Sequence, residues 1–367
     1  MAERVWIGTK KGLFRAERKG RWTITRSWFL GVPVSAVLPD PRDGAVYVAL
    51  NHGHFGTKVH RADDGERFAE IAVPTYPKKP EGLEDVDPYR KTPVPWSLVQ
   101  LWCLEAGGRD QPGWLWAGTI PGGLFCSKDR GASWQLAESL WYGDDRRRWV
   151  GGGYDNPGIH SIVVDPRDSR RLSIGVSCGG VWHSRDAGAT FALAAKGMRA
   201  AYMPEEHAFD EIAQDPHRIV ACPAAPDRVW CQHHNGIFHS RDAGRTWSEV
   251  TADAPSRFGF AVAVHPRNPD TAWFVPATKD EMRIPVDGKV CVLRTTDGGK
   301  TLTALRRGLP QEHAYDLVYR HALDVDADAT TLAMGSTTGS VWLSDDGGDG
   351  WQHLSAHLPP VHTVRFG

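Results

Sequence analysis

SKDRGASW at 127–134, SRDAGATF at 184–191, SRDAGRTW at 240–247, TTDGGKTL at 295–302 and SDDGGDGW at 344–351 are five copies of one octet. The shared pattern is Ser/Thr-x-Asp-x-Gly-x-Ser/Thr-aromatic, with drift toward the end. Its glycines, at 131, 188, 244, 299 and 348, stand 57, 56, 55 and 49 residues apart. RADDGERF at 61–68 keeps Asp63, Gly65 and Phe68, and RAERKGRW at 15–22 keeps only Trp22, which makes seven copies. A nearly fixed period marks a repeat architecture. The octet reads as a tied turn: Ser and Asp bond the backbone, Gly takes a positive φ, and the aromatic packs back between sheets.

Each octet follows the same prelude. WLWAGTIPGGLFCS (114–127), RLSIGVSCGGVWHS (171–184), RVWCQHHNGIFHS (228–240), TLAMGSTTGSVWLS (331–344) and RVWIGTKKGLFR (4–15) are pairs of apolar runs joined by Gly-containing turns. Runs rich in Val, Ile, Leu and Trp around such turns read as β-hairpins. A further strand precedes each hairpin, often ending in Asp-Pro, as in VSAVLPDP (34–41) and IHSIVVDP (159–166). Four strands in each of seven repeats predict an all-β, seven-bladed β-propeller spanning 1–367 as a single domain. VHTVRFG (361–367) is a first strand with no blade after it, and residues 4–9 begin a blade that lacks one. Pairing the two closes the ring and removes the open edges. Many of the 16 Trp recur at equivalent strand or octet positions, which assigns them to packing between blades.

With 43 Lys+Arg, 44 Asp+Glu and a net charge of −1, the chain has no global positive field for nucleic acid. No apolar run is long enough to span a membrane, and MAERVWIGTKKG lacks a secretory signal's apolar stretch. The six Cys form no CxxC pair, so a cytoplasmic location is expected.

The octets resemble Asp boxes, the BNR repeats of the sialidase superfamily, and the resemblance covers essentially the whole chain. More closely, the pattern resembles bacterial BNR-repeat "glycosyl hydrolase" or exo-sialidase-like proteins of poorly defined chemistry. The resemblance implies a propeller with the boxes on its outer rim, away from any active site. Sortilin-type receptors and photosystem assembly factors carry such boxes without being enzymes. Sialidases of the superfamily hold the substrate carboxylate with an arginine triad and use a Tyr-Glu nucleophile pair and an Asp acid. Their Arg-Ile-Pro motif lies near the first blade's start. Here Arg283-Ile284-Pro285 falls instead in the loop 277–288, and Arg199, Arg257 and Arg320 carry no motif.

A site belongs at the channel mouth, where the inner strands begin. Aligned there are Ser35, Trp102, His160, His217, Phe260, His321 and His362. Tyr154-Asp155 precedes His160, Phe209-Asp210 precedes His217, and Tyr315-Asp316 precedes His321. This makes His160, His217, His321, His362, Asp155, Asp210 and Asp316 the catalytic candidates. An Asp can orient an imidazole as general base or as metal ligand, and the four His are the ligands if a divalent metal is present. Arg283, Tyr315, Trp102, His233 and His52 are candidate substrate contacts. Adjacent His233 and His234 point opposite ways at a strand end, so at most one faces inward. Cys178 reads as a small turn residue rather than a nucleophile.

Three functions stay open: a hydrolase or lyase acting on a small, anionic molecule through the His/Asp cluster; a non-catalytic binding or assembly propeller with a protein partner; and, on the resemblance, a sialidase-like glycosidase. No organic cofactor, nucleic acid or membrane is expected.

Overall fold

In the computed structural model, which describes residues 2–152 and 154–367, the hairpins of the repeats stack into seven four-stranded antiparallel sheets. Blade 1 runs outward from Val361–Phe366 through Arg4–Thr9 and Gly12–Lys19 to Arg21–Trp28. The inner strands of blades 2 to 7 are Val34–Pro39, Gln100–Ala106, Ile159–Val164, Pro216–Cys222, Gly259–Val264 and Leu323–Val325. They neighbour one another in cyclic order, and the last strand closes the ring with Val5 opposite Phe366 and Ile7 opposite Val364. The expected seven-bladed propeller and its closure are both present.

The octets are tied turns. Ser127 donates to Asp129 (2.8 Å), Gly131 N–H donates to Ser127 Oγ (2.8 Å), and Ser133 donates to Asp129 through its N–H (2.9 Å) and hydroxyl (2.6 Å). The copies at 184–191, 240–247 and 295–302 repeat these bonds. In the weaker copy at 61–68, Asp64 rather than Asp63 accepts the turn's backbone N–H groups. The segment 15–22 is an ordinary hairpin turning at Gly20.

Octet glycines also allow blades to approach. A Cβ on Gly188 would stand 2.9 Å from Trp116 of the preceding blade, and one on Gly348 would stand 3.3 Å from Trp273. Gly299 faces Trp230 at 3.4 Å, and at Gly65 a Cβ would make ordinary contact with Trp6 at 3.6 Å. Trp6, Trp116, Trp230 and Trp273 are fully buried second-strand residues. Blade 4 has Ser173 at this position, and His183, paired across from it, takes the contact with Gly244 instead.

Six inner strands carry a β-bulge at their entry, and the bulged residues are Ser35, Trp102, His160, His217, Phe260 and His362. A bulge breaks the strand's alternation and re-aims one side chain. That irregularity allows a residue beside an inter-blade core to face the channel.

Candidate functional site at the channel mouth

Four bulge residues form part of a collar. The ring of Trp102 meets His160 edge-on at 5.6 Å, and His217 stacks on Phe260 at 4.4 Å. Arg320, just before the inner strand of blade 7, spans the opening. Its guanidinium lies 4.9 Å from the centre of Trp102 and 5.3 Å from that of Phe260. It is 6% exposed, its Nε has no hydrogen-bond partner, and it makes no ion pair among the described residues. A buried guanidinium held only by ring faces retains its capacity for an anion. Arg283, from the loop of blade 6, approaches the Phe260 ring at 5.4 Å and bonds Asp280.

Beside this pair lies the one group of three or more metal-capable donors among the described residues: Asp215, His217 and His234, with donor atoms all within 4.8 Å of one another. Asp215 is buried at the start of the blade 5 inner strand. Its Oδ1 accepts the Cys178 N–H at 3.0 Å, and its Oδ2 lies 3.4 Å from both His217 Nε2 and His234 Nδ1. His217 donates through Nδ1 to the Gly259 carbonyl at 2.6 Å. His234 Nε2 lies 3.9 Å from an Asp280 oxygen. Burial alone would raise the Asp215 carboxyl, but His217, His234 and Arg320 hold it well below the usual carboxylate range. Burial pulls His217 below its ordinary value. His234 moves the other way, because Asp215 and Asp280 outweigh its burial.

The other sequence candidates are placed as follows. His321 donates through Nε2 to the His160 carbonyl across the channel at 2.7 Å. His160 is buried against Ser161 at 2.8 Å, and His362 bonds the Val34 carbonyl of blade 2 at 3.1 Å. None of these three belongs to the donor group. Asp155 is solvent-exposed near Arg90, Asp210 pairs with His207 at 2.9 Å, and Asp316 accepts hydroxyls from Ser336 and Thr338. Tyr315 is exposed, and His52 is partly exposed against Phe55. His233 is fully buried with both ring nitrogens 3.1 Å from backbone N–H groups, so strand alternation separates it from His234. The Cys178 thiol is raised well above its ordinary value by burial and by Asp215, as suits a turn residue with φ of 50°.

Asp215 was legible in principle, since Asp-Pro-His places a carboxylate two residues before the entry His. The repeated aromatic-Asp pairs point to Asp210 and Asp316 instead. Arg320 adjoins a candidate His, but only the structure reveals its aromatic seat.

The opposite end of the channel opens into a cavity of about 1240 Å³ reaching up to His160. In its lining Arg365 pairs with Glu105 and Asp324 accepts the Phe366 N–H at 2.9 Å, while Arg218 is buried with no hydrogen-bond partner for its Nε and no ion pair among the described residues. The donor group, with Arg320 held between two rings beside it, favours the mouth as the chemical site.

No protein-family model and no curated protein sequence matches the chain. Solved structures do. An ancestral GH74 enzyme is similar over 95% of this chain, at 12% identity and a TM-score of 0.61, and the chain spans 40% of that protein's length. A protein of Desulfotomaculum acetoxidans described as functionally unknown is similar over 100% of this chain and 99% of its own, at 10% identity and a TM-score of 0.58. YCF48 bound to D1 peptide is similar over 94% of this chain and 90% of its own, at 14% identity and a TM-score of 0.55. At such identities the likeness establishes a β-propeller. No helix among the described residues is long and apolar enough to cross a membrane.

Proposed function

We propose that the chain is an enzyme of hydrolase or lyase type acting on a small anionic molecule at the channel mouth. The observation that carries this reading is Arg320, buried without an ion pair beside the Asp215–His217–His234 group. Arg320 receives the substrate's carboxylate or phosphate, and Arg283 supports it from the rim. The Phe260 and Trp102 rings exclude water from the contact and strengthen it. The donor group supplies the base, and charge developing on the substrate is stabilised by the guanidinium. The likeness to the ancestral GH74 enzyme is compatible with catalysis on this fold, and fold alone does not choose the reaction.

The test is a panel of small carboxylate- and phosphate-bearing esters, lactones and hydroxy acids. Turnover is expected for the intact protein. Asp215→Asn should lower kcat/KM by roughly 10²-fold or more, and Arg320→Met should both raise KM and lower kcat. Turnover that ignores both substitutions would remove the site from the reaction.

A second reading is a peptide-binding propeller in the cytoplasm. It is favoured by the exposed Tyr89, Tyr154, Phe209 and Tyr315 in segments leading into the inner strands, and by the peptide-bound YCF48 structure. Absence of turnover together with peptide binding lost on Tyr154→Ala would support it.

A further inference from the structure

The hydrogen bonds around Asp215 leave one oxygen in an unusual position. Oδ1 is spent on the Cys178 N–H and the Ser177 hydroxyl, at 3.0 and 3.4 Å. Oδ2 faces two imidazole nitrogens, each at 3.4 Å. A carbonyl can only accept, so the bond to Gly259 makes His217 Nδ1 the protonated nitrogen and leaves Nε2 with a lone pair. That lone pair points toward a carboxylate oxygen, which is repulsive unless a positive species lies between them. A proton would draw the two atoms to about 2.7–2.9 Å, the length of a charge-assisted hydrogen bond. Neither imidazole has closed to that distance.

We propose that Asp215 Oδ2, His217 Nε2 and His234 Nδ1 form a binding site for a single divalent transition-metal cation of the zinc type. The spacing supports it. Ligands at about 2.0–2.1 Å from a tetrahedral zinc stand about 3.3–3.4 Å apart. Both contacts of Oδ2 have that separation. The donor set of two imidazoles and one carboxylate suits such a cation rather than calcium or magnesium, which take oxygen ligands. The outer partners fit as well. His217 is oriented by the Gly259 carbonyl, and His234 turns its Nε2 toward the Asp280 carboxylate, which is how metal-bound histidines are held. His234 remains partly exposed, which gives a cation an entry path.

Three protein ligands leave a fourth position for water or substrate, as in catalytic rather than structural zinc sites. The inference rests on the proposed function only for the meaning of that position: a water bound there would become the base, with its pKa lowered by the cation. The cation site itself stands on the donor geometry.

The experiment is metal binding by the full-length purified chain after chelator treatment. Zn²⁺ is titrated calorimetrically, and Co²⁺ is followed by its visible d–d absorption, whose intensity distinguishes tetrahedral from octahedral sites. One equivalent of each, with an intense tetrahedral Co²⁺ spectrum, is expected. His234→Ala should weaken binding by roughly 100-fold or more, and Asp280→Asn by about 10-fold. His234 is a partly exposed loop residue, so its variant should keep the fold, which circular dichroism checks. No stoichiometric binding, or affinity unchanged in His234→Ala, would overturn the site. A stripped protein that still turned over substrate would overturn the cation's part in catalysis while sparing the enzyme reading; a protein that bound one equivalent of metal yet was inert to every substrate would overturn the enzyme reading while sparing the cation site.

Discussion

At the residue scale, burial without a partner separates ligand-binding from structural side chains. Arg146, from the basic run at 146–148, is buried but bonds both oxygens of Asp85 and lies over Trp141 at 4.2 Å, so it is a structural rivet. Arg320 has the rings but no carboxylate. The two should respond to different degrees. Arg320→Met keeps volume and removes a buried charge held by no ion pair, which offsets the loss of its attraction to Asp215, so the melting temperature should change little while anion binding is lost. Arg146→Met strands Asp85 and should cost about 3 kcal/mol or more. A fall in stability for Arg320→Met equal to that of Arg146→Met would mean that Arg320 is structural too. Histidine supplies a second test. His183 is drawn down to about 4 by burial and by Arg185 and Arg245, and His233 to about 3, chiefly by burial. Their folded pKa values lie below the unfolded value near 6.5, so the unfolded chain takes up protons first as pH falls. The stability they contribute is present above about pH 6.5 and is lost as pH drops toward 4, on the order of 3 kcal/mol for His183 alone. His183→Leu should flatten the pH dependence of the urea midpoint over that window; an unchanged slope would contradict it.

At the element scale, the octet and the bulge divide the molecule between stability and chemistry. The octet was plain in the sequence because its chemistry is local: Ser, Asp and Gly satisfy each other within eight residues. Asp242 shows how much rests on one carboxylate, which accepts from Ser240, Arg245 and both the N–H and hydroxyl of Thr246. Asp242→Ala should therefore cost about 1–3 kcal/mol and leave anion affinity at the mouth unchanged, as paired thermal melts and binding titrations would check; lost affinity in the folded variant would connect rim and mouth. The inner-strand entry was also legible as a position, and six bulges mark it. Which entry residues meet was not legible. His321 reaches the His160 carbonyl, His362 the Val34 carbonyl, and His217 an aspartate two residues upstream. Equivalent positions face the channel from different angles around the ring, and linkers of unequal length decide which neighbours each encounters. Periodicity carries no information about those linkers.

For the whole molecule, cohesion depends on contacts that repeat around the ring, so a defect in one blade is felt by its neighbours. The seam between Val361–Phe366 and Arg4–Thr9 is such a contact, joined by strand pairing across the greatest separation in the chain. The closing strand does more than pair. Val361 and Val364 are fully buried in the core shared by blades 1, 6 and 7; Arg365 reaches Glu105 of blade 3 across the channel; and Phe366 donates its N–H to Asp324 of blade 7. Deleting residues 359–367 removes all of these and exposes edges in the remaining sheet of blade 1. The expected outcome is loss of the cooperative thermal transition or of soluble protein. Because such a variant can fail in expression, Val364→Ala provides a graded version. It removes two buried methyl groups and should cost about 2 kcal/mol through lost burial and an incompletely filled cavity. If the seam holds the ring as one unit, hydrogen exchange in that variant should accelerate in the inner strands of blades 1, 3 and 7 together. Acceleration confined to blade 1 would show that the blades unfold independently and that closure contributes little to the rest of the ring.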